Sequence, residues 1–129
     1  MTRKDLPDPV RRFILTSVPS VPYLEAVLLL RGEAARPWHA LQLAQRLYLP
    51  EPVAAGLLAA LAAAGIAQPA PQEPERFRYQ PATAELRAML DAVAAAYSAD
   101  LVAVTDLIHS RVDKRAQQFA DAFRWKKDS

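Results

Sequence analysis

At 129 residues, 52% hydrophobic and 23% charged, the chain is composed like an ordinary folded protein and unlike a disordered one. Its length suits one compact domain that buries roughly two-thirds of the surface of the unfolded chain. The lack of cysteine excludes disulfides, thiolate metal sites, cysteine nucleophiles and iron–sulfur clusters together, and a net charge of +2 by itself assigns no polyanionic partner.

Charge is spread unevenly. Residues 1–36 hold six basic and four acidic side chains and residues 109–129 six and three, whereas residues 81–108 set Arg87 against Glu85, Asp91, Asp100 and Asp106. Near the start, Arg3 and Lys4 are followed by Asp5, Pro7, Asp8 and Pro9 where a signal peptide would carry its apolar run. No stretch approaches the ~20 apolar residues that span a bilayer. A cytoplasmic location, with no membrane partner, is the expectation.

All eleven prolines lie at or before Pro81, so a punctuated first part precedes a tract that reads as helix almost throughout. Residues 10–15 form a short apolar and basic run for which a strand and a single helical turn fit equally. Ser20 and Pro22 mark a helix start, and the helix runs over residues 21–31 with Gly32 as its left-handed cap. Pro37 opens the next helix, with Leu41, Leu43, Ala44 and Leu47 on an apolar face and Gln42, Gln45 and Arg46 on a polar one.

That helix ends near Tyr48, because neither proline of Leu49-Pro50-Glu51-Pro52 allows a helix to continue through it. A third helix follows, with Val53, Leu57, Leu58 and Leu61 as its core and Gly65 as its stop. Residues 66–68 and 76–80 read as strands joined by a proline-rich connector. In the second strand Phe77 and Tyr79 share one face while Arg76, Arg78 and Gln80 share the other and point to solvent. Thr83 caps a fourth helix carrying Leu86, Met89, Leu90, Val93 and Tyr97. Ser98 or Asp100 starts a fifth, carrying Leu101, Val104, Ile108, Val112, Phe119 and Phe123.

The string Ala40, Leu43-Ala44, the turn at residues 49–52, Val53, Leu57-Leu58, Leu61, Gly65-Ile66 and Tyr79 with Pro81 resembles the winged helix-turn-helix family of bacterial transcription regulators. With a helical C-terminal extension after the wing, the layout is similar to PadR-like and MarR-like regulators. The implied fold is mainly α with a small β-hairpin: an N-terminal arm at 1–19, a winged helix-turn-helix at 20–81 and the extension at 82–129, in the same compact unit. The resemblance implies a homodimer through the C-terminal helices, and double-stranded DNA as partner, with the third helix in the major groove and the wing on the backbone or minor groove.

The third helix departs from that role. Its expected outward face is Glu51, Ala54, Ala55, Gly56 and Ala59, none of which donates to a guanine edge or neutralises a phosphate. DNA contact then falls to Arg76 and Arg78 on the wing, with Arg46, Gln42 and Gln45 on the second helix, and the bland alternative makes the wing arginines solubilising charges. The rival reading is a winged-helix protein-interaction module that does not bind DNA and docks the small-residue face around Ala55 and Ala59 on a protein partner. Phe119, Phe123 and Trp125, flanked by Arg115, Arg124, Lys126 and Lys127, either pack on the chain's own core or form a dimer or partner seam.

His39 and His109 stand in no metal-ligand spacing, with His39 expected to be exposed or capping. The three glycines lie too far apart for a phosphate loop, and no G-x-S-x-G elbow exists. Metal, cofactor and catalytic residues are all expected to be absent, and the chain reads as not an enzyme.

Overall fold

The computed structural model describes residues 6–110. In chain order the elements are α1 (Asp8–Ser17), α2 (Val21–Gly32), α3 (Ala40–Leu47), α4 (Glu51–Ala63), β1 (Ala67–Ala70), β2 (Glu73–Tyr79), α5 (Ala84–Ala99) and α6, described over Leu101–Ser110. The described chain is therefore mainly helical with one two-stranded antiparallel hairpin. Two compact units are present, Pro22–Asp91 and the residues before and after it, with the division inside α5.

In the flanking unit, residues 8–17 form a full helix, which resolves the open choice between strand and turn. Pro9 sits in its first turn, where a missing N–H is no loss, and Asp8 faces the positive end of the helix dipole. Val10 and Ile14, one turn apart, are buried. Further along, α5 and α6 are separate helices, because the Asp100 carboxylate accepts the Ala103 N–H (3.0 Å) and starts a new helix. Val104 and Ile108 are buried, whereas Leu101, expected in the same stripe, is half exposed beside Val102.

In Pro22–Asp91, α2 buries Tyr23, Leu24, Ala26, Val27 and Leu30. Gly32 is the last residue of that helix and not its left-handed cap; the only positive-φ glycine among the described residues is Gly65. The helical hydrogen bonding carries one residue further, from the Glu33 N–H to the Leu29 carbonyl. Pro37 does not open α3. Trp38 instead bridges to Phe77 through two backbone hydrogen bonds of 2.7 and 2.9 Å, and His39 caps a helix that starts at Ala40.

The turn at residues 48–50 and the stop at Gly65 occur where the prolines and glycine require them. Tyr48 takes the left-handed conformation (φ 56°, ψ 46°), and its N–H and that of Leu49 both reach the Ala44 carbonyl. At the far end of α4, Gly65 (φ 76°) lets Ile66 N–H return to the Leu61 carbonyl at 2.9 Å. Packing of α3 on α4, and of α4 on β1, buries Leu43, Ala44, Ala54, Leu58 and Leu61.

The hairpin is longer than the proline content suggested. Its strands are joined by Pro71 and Gln72 alone, pair Ala67 with Tyr79 and Gln68 with Arg78, and bulge between Pro69 and Ala70. Each strand of a two-stranded sheet has an outer edge, that of β2 being met by Trp38 at Phe77, so Pro69 and Pro74 can lie within strands at positions that donate no ladder bond.

Candidate interaction surface

The start of α3 and the hairpin, both expected to meet DNA, form a densely cross-linked corner. His39 precedes α3 with extended backbone, its Nδ1 accepts the Leu41 N–H (3.3 Å), and its own backbone N–H donates to Gln42 Oε1 (3.1 Å). This is a reciprocal cap, which satisfies donors at both ends of the first turn. Gln42 Oε1 also accepts from Arg76 Nη1 on β2 (2.9 Å), and Arg76 Nε pairs with Glu73 at 3.1 Å.

Arg76 therefore does not stand free on a solvent face, as strand alternation predicted, but is half-buried and held by two partners. Gln42 is likewise half-buried, its side-chain oxygen spent on the cap and on Arg76. Around this corner a cleft of about 490 Å³ is lined by His39, Leu41, Gln42, Glu75 and Arg76 among others.

Arg46 is also engaged. Glu33 reaches Arg46 (3.3 Å) and Arg36 (3.4 Å), and both guanidinium groups lie over the wholly buried Trp38 ring, at 5.5 and 4.3 Å from its centre. Arg31 pairs with Asp91 (2.9 Å), and Arg87 lies 5.8 Å from the centre of the Tyr79 ring. Among the described residues of this unit, Arg78 is the arginine with neither carboxylate, hydrogen bond nor ring beside it. Gln45 is exposed on α3. The unit as a whole holds six arginines against seven carboxylates.

The outward face of α4 consists of Glu51, Pro52, Val53, Ala55, Gly56, Ala59, Ala60 and Ala63. Ala55 and Ala59 are exposed as expected. Ala54 is not; it is fully buried, and Val53 takes its place on the surface. The reason is that α4 is apolar all round, so periodicity alone cannot set its phase, and contact with α3 and β1 does. Sequence reasoning also missed Tyr48, which is 95% exposed, and Leu41, which is half exposed. The signal for Tyr48 was its position as the last residue before Leu49-Pro50, where a helix must end and the cap lies at the surface.

Tyr79, at the end of β2, is buried with no hydrogen-bond partner for its hydroxyl. Burial pushes its ionisation above the usual tyrosine value and Asp91 adds to the effect, while Arg31 and Arg87 oppose it.

Phe119, Phe123 and Trp125, the expected dimer or partner seam, lie outside the described residues. Among the described residues no group of three or more His, Asp or Glu is placed to hold a metal ion, and no single helix is long and apolar enough to cross a membrane. Compared with known proteins, the chain matches no family model, and no curated protein or solved structure matches it.

Proposed function

We propose that Pro22–Asp91 is a winged helix-turn-helix used as a protein-interaction module, in which the outward face of α4 receives the apolar face of an amphipathic helix of a partner protein. The fold reading is supported by the order of α2, α3, a tight turn, α4 and the hairpin, with α3 packed on α4. The functional reading is carried by one observation: the face of α4 that would enter a DNA groove bears Glu51 and otherwise only apolar or small side chains. Reading base edges requires side-chain donors and acceptors, and holding phosphates requires cations. Alanine and glycine offer neither, but they let a second helix approach closely.

A photo-crosslinking residue at position 59 of the full chain, introduced in the native host, tests this. The expected adduct maps to an amphipathic helix of one other protein, and Ala55→Glu abolishes it. An adduct to a second copy of this chain, or to nucleic acid alone, overturns the proposal.

A second reading, a DNA-binding transcription regulator that leads with its wing, is favoured by Arg78, whose guanidinium is uncommitted on the hairpin. Its mark is affinity for random duplex DNA that falls with salt and falls again in Arg78→Ala. Such behaviour would move the function to DNA.

A further inference from the structure

We infer that His39 is a proton-operated latch between the start of α3 and the hairpin. Its ring has two different neighbours, the Leu41 N–H at Nδ1 (3.3 Å) and the Glu75 carboxylate 4.0 Å from Nε2. To accept the Leu41 N–H, Nδ1 must carry a lone pair, so the neutral ring holds its single proton on Nε2, directed at Glu75. A second proton goes onto Nδ1, where it meets the Leu41 N–H donor to donor. The side-chain half of the cap is then lost.

The positive ring has an alternative partner on β2. The cleft that His39 lines also presents Glu73, Glu75 and Arg76 from the hairpin; Arg76 and Glu73 already pair with each other at 3.1 Å, which leaves Glu75 as the open carboxylate. From α3 the same cleft receives only Leu41 and Gln42, which are uncharged. Protonation thus exchanges a bond to α3 for an attraction to β2. It does so at the residue whose backbone N–H shares the Gln42 oxygen with Arg76, so the change is felt at the joint between helix and strand. Imidazole is the side chain whose charge ordinarily changes between about pH 5 and 8, and that range is the one in which the latch is to be tested.

The test is nuclear magnetic resonance on the full chain at about pH 8 and pH 5, with His39→Asn as comparison, since asparagine caps a helix without titrating. At the higher pH the ring nitrogen shifts are expected to show Nδ1 unprotonated. At the lower pH the Leu41 amide should lose about tenfold of its hydrogen-exchange protection after correction for intrinsic rate, the equivalent of one lost cap. In His39→Asn that loss is absent. A proton on Nδ1 at pH 8, an unchanged Leu41 amide in the wild type, or an equal loss in His39→Asn would each overturn the inference.

Discussion

Tyr48 should cost the protein stability. It is the only non-glycine residue among those described with positive φ, and φ 56° and ψ 46° place it in the left-handed region, where a Cβ crowds the following carbonyl. That conformation costs a non-glycine residue roughly 1–2 kcal/mol, and asparagine recovers much of it through local hydrogen bonding. With the residue 95% exposed, replacing its side chain forfeits almost no buried area.

Tyr48→Asn is therefore expected to stabilise by about 0.5–1 kcal/mol. Tyr48→Gly should gain less, because glycine adds roughly 0.5–1 kcal/mol of unfolded-state entropy. Tyr48→Ala, which keeps the strain, should fall within about 0.5 kcal/mol of wild type. Urea unfolding followed by the fluorescence of the buried Trp38, in a Trp125→Phe background, reads these differences. For m of about 1–3 kcal/mol/M, the asparagine variant moves the midpoint up by roughly 0.2–1 M. A lower midpoint in both the asparagine and glycine variants would refute the reasoning, since it would mean that the ring holds the turn together. If α4 and the turn before it meet a partner, the same substitutions should lower the crosslink yield at position 59 while raising stability.

Tyr79→Phe removes a buried hydroxyl that has no partner and should stabilise by about 1 kcal/mol in urea unfolding at neutral pH. The raised ionisation of Tyr79 favours the neutral form in the folded state. Its contribution is thus complete below the unfolded value near pH 10 and is lost as pH rises through the folded value. Tyr79→Phe should flatten the alkaline loss of stability, with the similarly raised Tyr23 leaving a residual slope. The glycines should respond in opposite directions. Gly65→Ala forces a left-handed alanine whose Cβ would lie 3.4 Å from that of Ala82 and should cost about 1–2 kcal/mol, whereas Gly56→Ala, with open space around it in a helix, should gain about 1 kcal/mol in the same unfolding assay. Asp100→Ala removes the α6 cap, with an expected loss of about 1 kcal/mol and faster exchange of the Ala103 amide.

Much of the helical layout is legible because its punctuation is local. Pro50 and Pro52 end one helix and begin the next, Gly65 ends α4 through a conformation that glycine adopts freely, and Thr83 and Asp100 cap α5 and α6 with their own side chains. The candidate site was less legible, because its groups are set by residues distant in the chain. Alternation along β2 correctly separates Tyr79 from Arg76, yet it cannot show that Arg76 meets Gln42, which lies 34 residues away. Nor does the spacing of Arg46 reveal Glu33 as a shared carboxylate for two arginines over Trp38.

By itself, then, the sequence determined the turn before Pro50, the stop at Gly65 and the starts at Thr83 and Asp100, since proline, glycine and capping side chains act on backbone within a few residues of themselves, whereas Gly32 and Pro37 did not play the parts their types suggested. It also determined that α4 would carry no cation, because a residue's chemistry does not depend on the fold. Tertiary structure alone decided which side of α4 faces out, since an all-apolar helix has no phase until neighbours bury one face and expose Val53 in place of Ala54. It likewise decided which arginines are committed, because that depends on a few ångströms between groups brought together only by folding.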